Sequence, residues 1–376
     1  MEKFLKLLLS LCLFLPALTV PSAVGAASAK EMSVHFINVG QGDAIYIKAP
    51  YGEDILIDGG RDGDKVVSYL KKQKVKDIEI MISTHPDADH MGGLDEVLKA
   101  YRVKSVYAPK VSHTTKVYRD FLYAVKKEGL KIKTASKGVK LAVKGTTAAF
   151  VGPVKSYKTD LNNWSAVLKL TYGKKSFLFA GDAETKAESD MIRAKENLKA
   201  DVLKVGHHGA KTSTSEAFLK AVKPAYAVIS AGKGNQYGHP SAEVLNRLKK
   251  YKVSLFRTDQ QGTIVAKTDG KNIRFNVKPA GTASGSNPAY KLTASLDNTQ
   301  PKQNGTIRLT VKGLPNGTDF RAVFHYKTTT TAYSGKIGTP LAVKIGRATK
   351  GYKVIIDVSA VYKGKTYKTQ TFFTPR

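Results

Sequence analysis

The chain holds a single cysteine, Cys12, in 376 residues. A disulfide framework and any cysteine-built zinc finger are thereby excluded. Acidic residues are also scarce, 30 against 61 lysines and arginines, which leaves a formal charge of +31. That balance excludes an acidic, cation-buffering protein and points to polyanionic partners: nucleic acid, teichoic acid or an anionic surface. The lysines are spread along the chain rather than gathered in one stripe, so their charge suits life in an anionic cell wall as well as it suits DNA. Long apolar runs are missing too. Beyond the segment from Phe4 to Val20, no stretch could span a membrane.

That opening segment, MEKFLKLLLSLCLFLPALTVPSAVGAASA, runs from two lysines through an apolar stretch to small residues. It reads as a secretory signal peptide over residues 1–29, with cleavage expected after Ala29. Cys12 lies inside it, preceded by Leu11 rather than a small residue, a poor context for lipid attachment. The expected product is extracellular, free of cysteine and, on its charge, associated with the cell wall.

Strand patterns at 33–39, 44–50 and 54–60 are joined by tight glycine turns, a meander. A helical pattern at 63–74 precedes a continuous apolar strand at 78–84, and a helix is predicted at 92–101. Later, 165–172 and 175–182 form a hairpin-like pair, strand 200–206 ends on His207 and His208, and strand 226–231 precedes a helix at 241–251. Residues 30–278 therefore predict an α/β fold of two mixed sheets flanked by helices. Residues 279–289, PAGTASGSNPA, have the composition of a linker. From 290 to 376 only short strands recur, with turn residues about every ten positions, which predicts an all-β, immunoglobulin-like sandwich. This module carries 15 lysines and arginines against three aspartates, a net +12, and reads as an attachment module.

The densest chemistry is STHPDADHMGG at 83–93, where His85, Asp87, Asp89 and His90 fall within six positions after the apolar strand. Loops leaving a buried strand are where binding and catalytic residues gather. Imidazole with carboxylate suits zinc, and a larger share of oxygen ligands shifts preference towards manganese or iron. A solvated turn needs neither two histidines nor a glycine pair that lets the next helix pack closely.

The loop resembles the HxHxDH signature of the metallo-β-lactamase superfamily, with Asp87 in place of the middle histidine. INVGQGDA (37–44), LIDGG (56–60), LNNWSAVLKL (161–170), FLFAGD (177–182), LKVGHHGAKTSTS (203–215), YGHPSAEVL (237–245) and FRTDQQGTI (256–264) follow the order seen in the hydrolase domain of ComEC-type competence proteins. The resemblance implies an αββα sandwich with two divalent metal ions, zinc or manganese, at one sheet edge. It implies that His85 and Asp87 face one ion, and Asp89 with His90 the other. Asp182 resembles the bridging carboxylate and His207 the late histidine ligand, with His208 the alternative for that role or for positioning phosphate. The superfamily's histidine before the bridging strand is missing here. Asn162 or Asn163 would supply an amide oxygen instead, or that site is incompletely filled. Asp58 either braces a ligand histidine from behind or caps its turn. Asp43 is a weaker candidate than the glycines around it. His239 is a candidate proton donor or substrate contact, while His35, His113, His325 and Trp164 read as structural.

What the resemblance implies is a metal-dependent phosphodiesterase, a nuclease acting on extracellular DNA through metal-activated hydroxide, with Asp89 and His239 at the chemistry. Two other readings stay open. One is a phosphodiesterase for teichoic-acid or phosphorylcholine groups, and the other is a catalytically weak protein that tethers DNA or wall polymer. A β-lactamase is disfavoured by the two missing histidines.

Overall fold

The computed structural model of the chain describes residues 30–280, 290, 292–362 and 365–376. The segment expected to be a signal peptide, residues 1–29 with Cys12, and most of the expected linker lie outside the described residues. Contacts divide the chain into two compact units that part between Gly281 and Thr282.

The first unit is built on two sheets. One has eight strands in the order Ile273–Phe275, Ile264–Thr268, Met32–Phe36, Ile45–Lys48, Asp54–Ile57, Ile80–Ile82, Val106–Ala108 and Ile132–Thr134. The other has seven: Ser254–Arg257, Tyr226–Ile229, Val202–Lys204, Lys175–Phe179, Leu168–Tyr172, Thr146–Phe150 and Lys140–Leu141. Each sheet is antiparallel in the half made of hairpins and parallel in the half whose strands are joined through helices. This is the pairing that short turns and helical crossovers dictate.

Alternation along the strands assigns each side chain to a layer. Val34, Phe36, Ile45, Ile47, Ile55 and Ile57 meet Leu168, Leu170, Phe177 and Phe179 between the sheets. The intervening Tyr46, Leu56 and Met81 turn outward and pack with residues of helices Gly63–Lys72, Leu94–Ala100 and Lys116–Lys127. Leu178, Leu203 and Ala227 do the same on the other side with helices Thr185–Arg193, Glu216–Val222 and Ala242–Lys250. The result is helix, sheet, sheet, helix, the αββα sandwich expected from the sequence. Among the described residues no helix is long and apolar enough to cross a membrane.

The glycine pair earns its place through close approach. A Cβ on Gly93 would lie 2.3 Å from the Gly59 carbonyl oxygen and 2.6 Å from the Gly63 Cα, so only glycine lets helix Leu94–Ala100 seat against the preceding helix. One local element differs from the sequence reading. Residues Ala88–Met91, inside the HPDADH loop, form a helical turn that starts from the extended backbone of Asp87.

The second unit is all-β. Strands Thr293–Leu296, Thr306–Lys312 and Leu341–Lys344 form one sheet, and Thr330–Lys336, Asp319–His325, Val354–Tyr362 and Lys365–Phe373 the other. Alternate residues such as Ile307, Leu309, Phe320, Phe324, Ile356 and Val358 bury one shared core, so the unit is a β-sandwich.

Candidate metal centre

The carboxyl ends of five parallel or meander strands converge at one edge of the two sheets, where α/β folds place their ligands. Strand Asp54–Ile57 delivers Asp58, Ile80–Ile82 delivers Thr84 and His85, and Lys175–Phe179 delivers Asp182. Val202–Lys204 leads to His207 and His208, and Tyr226–Ile229 to Ser230.

Asp182 is the hub, 3% exposed. Four imidazoles turn their Nε2 atoms towards it: His90 at 3.1 Å, His208 at 3.5 Å, His207 at 3.7 Å and His85 at 4.0 Å. Each of these rings is braced at the opposite nitrogen. His90 Nδ1 lies 2.8 Å from Asp58, and His207 Nδ1 lies 3.0 Å from Glu184. His208 Nδ1 is 3.0 Å from the Ser230 carbonyl oxygen, and His85 Nδ1 is 3.1 Å from the Thr84 hydroxyl. Asp58 in turn accepts from the Thr84 amide and hydroxyl at 2.7 and 2.6 Å. Fixing one ring nitrogen so that the other points at a shared target is how proteins orient metal-binding histidines. Asp87 lies 3.5 Å from His85 Nε2, and Asp89 lies 3.3 Å from His208 Nε2. Asp87 thus groups with His85, and Asp89 with His208, around Asp182.

The donors fit divalent ions. His85 Nε2 and an oxygen of Asp182 are buried without a hydrogen-bond partner, a costly arrangement unless a cation completes it. Oxygen and nitrogen donors from Asp43, His90, Asp182 and His208 all lie within 4.8 Å of one another. The charges interlock. Burial alone would raise the Asp182 carboxyl, but the imidazoles of His208 and His90 outweigh it and hold it well below the usual range. Burial likewise opposes Asp89, whose carboxyl His208 and His90 pull far down. Against its own burial, His90 is raised well above an ordinary imidazole by Asp182 and Asp58, and His208 is raised to about 9 by Asp182, Asp43 and Asp89.

The remaining predicted residues fall in different places. His208 belongs to the compact donor group, while His207 sits nearer the rim with its side chain 24% exposed. The sequence reading preferred His207. Left-handed backbone at both histidines, φ 47° and 51°, lets both rings bring Nε2 to the same Asp182 oxygen, His208 from a buried position and His207 from a partly exposed one. Asn162 contacts His207 Nδ1 at 3.5 Å. Asn163 needs correcting: its amide oxygen accepts from the backbone of Glu184 and Ala187, and its amide nitrogen donates to Asp160, so it caps a helix and offers the centre nothing. His239 lies beside the cluster, edge-on to the His207 ring at 5.4 Å and near-parallel to the His208 ring at 6.5 Å. Trp164 donates to the Lys158 carbonyl and packs against Tyr157.

Sequence reasoning missed Lys204 and undervalued Asp43. Lys204 is fully buried, its ammonium 2.8 Å from Asp43 and donating to the Val205 carbonyl. The other Asp43 oxygen lies 3.4 Å from His208 Nδ1, the ring nitrogen other than the Nε2 that faces Asp182. Asp43 therefore stands behind His208 and braces it. A signal was there: Lys204 shares the inward face of its strand with Val202, where a charge has no business without a partner. Glycine matters here as well. A Cβ on Gly42 would fall 2.2 Å from the Asp89 carbonyl oxygen, so only glycine here leaves that oxygen where it accepts from the Asp43 amide at 3.0 Å.

His35 lies apart from the centre, bonded to Tyr69 and Ser33. Burial, with Lys267 and Lys48 adding repulsion, pushes its imidazole down to about 4. An unfolded histidine titrates near ~6.5, so the unfolded chain takes up a proton in the window between these values that the fold refuses. Stability is complete above that window and falls as the pH drops through it, by about 2–3 kcal/mol at the acid end. Urea unfolding at pH 7.5 and 4.5 is expected to show a smaller acid loss for His35→Gln than for wild type. Equal losses would mean that His35 titrates normally.

A family model for the metallo-beta-lactamase superfamily matches residues 37–233. The chain belongs to that superfamily, and the buried group of Asp43, His90, Asp182 and His208 is one that could hold a metal ion. It is similar to ComE operon protein 3 of Bacillus subtilis, 34% identical over 268 residues that cover 66% of this chain and 34% of that protein. Recombination protein 2 of Haemophilus influenzae is 34% identical over 238 residues, covering 61% of this chain and 28% of that one. Competence protein ComA of Neisseria gonorrhoeae is 29% identical over 243 residues, covering 64% and 33%. The likeness to ComEC-type competence proteins expected from the motifs therefore holds, and the chain spans only about a third of the length of these relatives.

Proposed function

We propose that the chain is a metal-dependent phosphodiesterase that acts as a nuclease on DNA outside the cell, carrying two divalent ions, zinc or manganese. The observation that carries this reading is the convergence of four braced imidazoles and three carboxylates on and around Asp182. Competence and recombination in the relatives' names point to DNA as substrate, and the charge of +31 supports binding to a phosphate backbone without sequence preference.

Divalent ions in such a site supply Lewis acidity and lower the pKa of bound water to about 7. The protein's own groups do the rest. His85, His90, His207 and His208 hold their Nε2 atoms in place around Asp182. Asp89, with its side chain 19% exposed, accepts a hydrogen bond from the attacking water and aligns it with phosphorus. As the P–O bond to the leaving sugar breaks, His239 donates the proton that its oxygen requires. The N-terminal segment exports the protein, and the basic β-sandwich, an immunoglobulin-type module, attaches it to DNA or an anionic wall polymer.

The test is hydrolysis of single- and double-stranded DNA by the purified chain after chelation, with manganese, magnesium or zinc returned, beside Asp89→Ala. Metal-dependent cleavage that Asp89→Ala lowers by about 100-fold or more is expected. No cleavage with any ion would overturn the nuclease reading in favour of choline-phosphate esters or a tethering protein.

A further inference from the structure

A cavity of about 480 Å³ opens directly beside His85, and nothing in the catalytic scheme uses it. We propose that it is a subsite for the nucleoside attached to the scissile phosphate. This rests on the reading of the centre as a phosphodiesterase and goes on to say which part of the substrate is recognised.

Three observations carry the assignment. The first is adjacency: His85 lines the cavity and also turns its Nε2 towards Asp182, so a group held in the cavity sits beside whatever is held at the centre. The second is the wall. Met91, Val111, Phe121 and Ile132 give it an apolar side beside the polar Lys110, Ser112 and Thr134, and the volume lies in the range of small-ligand pockets. The wall is also pre-formed. The Tyr118 hydroxyl donates to the Val111 carbonyl at 3.2 Å, and Thr115 caps helix Lys116–Lys127 by accepting from the Tyr118 amide. The loop after strand Val106–Ala108 is thus pinned to that helix. The third is charge. Lys110 lines the cavity, and none of the residues that line it, among those described, is acidic. A quaternary ammonium group such as choline would meet a cation and no counter-charge, whereas a neutral base flanked by phosphates meets an apolar slot with an ammonium close by. Stacking and burial of a base face are tolerant of sequence, as a nuclease for bulk DNA requires.

The experiment measures equilibrium binding of thymidine 5′-monophosphate, deoxyribose 5-phosphate and phosphocholine to the manganese-loaded full chain. The nucleotide is expected to bind about tenfold or more tightly than the base-free sugar phosphate, and phosphocholine no better than the latter. Thr134→Trp, an exposed strand position on the cavity wall, is expected to abolish the nucleotide's advantage while leaving manganese content and sugar-phosphate binding unchanged. Ser112→Phe, on the opposite loop, serves as the second variant should the first misfold. Equal binding of nucleotide and sugar phosphate, preference for phosphocholine, or an advantage that survives both variants would overturn the inference. The two readings fail separately. DNA cleavage without base-dependent binding sinks the subsite alone. Base-dependent binding without cleavage of any DNA sinks the nuclease reading and leaves the subsite standing.

Discussion

Asp182→Asn is expected to abolish metal-dependent hydrolysis, by at least about 10³-fold, and to lower metal affinity by more than any other single substitution in the centre. The residue is the shared neighbour of His85, His90, His207 and His208. An amide keeps its shape but removes the charge that faces all four rings and presents an N–H where a cation should sit. Changing a residue that merely orients a ligand typically costs about 10–100-fold in affinity or activity. Asp58→Asn should fall in that smaller range, since the Asp58 carboxylate bonds to His90 and Thr84 and stands behind the centre. A loss of about 10³-fold corresponds to about 4 kcal/mol of transition-state stabilisation. Metal content after dialysis, read beside initial rates on DNA, provides the check. If Asp58→Asn proves as damaging as Asp182→Asn, the centre is not organised around Asp182, and the order of importance inferred from the distances is wrong.

The ranking of these residues was only partly visible in the sequence. Strand ends were legible because apolar runs stop abruptly at LIDGG, IMISTH, FLFAGD and LKVGHH, and parallel strands bring such ends to one edge. Hence Asp58, His85, Asp182 and the histidine pair could be named together before their spacing in three dimensions was known. What decides between His207 and His208 is backbone handedness. Two successive left-handed histidines turn one ring inward and leave the other at the rim, and no periodicity encodes that. Asn163 was misread for a related reason. Beside a catalytic strand an asparagine looks like a ligand, yet an amide that can accept two backbone N–H groups at a helix start is more useful as a cap. The cavity beside His85 was illegible, since apart from the HPDADH loop its walls come from two strand ends, a loop and a helix that are separately unremarkable in sequence.

Lys204→Met is expected to destabilise the first unit by about 3–5 kcal/mol, the usual cost of leaving one partner of a buried ion pair uncompensated, and to lower its melting temperature by about 10 °C. Lys204 is 0% exposed and Asp43 1%, so neither charge can turn to water. Removing the ammonium leaves a carboxylate facing His208 alone at 3.4 Å, and that carboxylate must then take up a proton or draw on an imidazole meant for metal. Lys204→Met combined with Asp43→Leu removes both charges, and apolar replacement of an intact buried pair is often neutral. The double variant should therefore recover most of the lost stability, giving a large coupling energy between the two positions. Metal affinity should not recover with it. Without Asp43, His208 Nδ1 keeps only the Ser230 carbonyl, and affinity is expected to stay about 10–100-fold down. Thermal unfolding and metal titration on the same three variants separate the two roles. A double variant as unstable as the single one would mean that Lys204 acts through the packing of its aliphatic chain. Full recovery of metal affinity would mean that Asp43 serves only as a counter-charge to the lysine and does not aim His208.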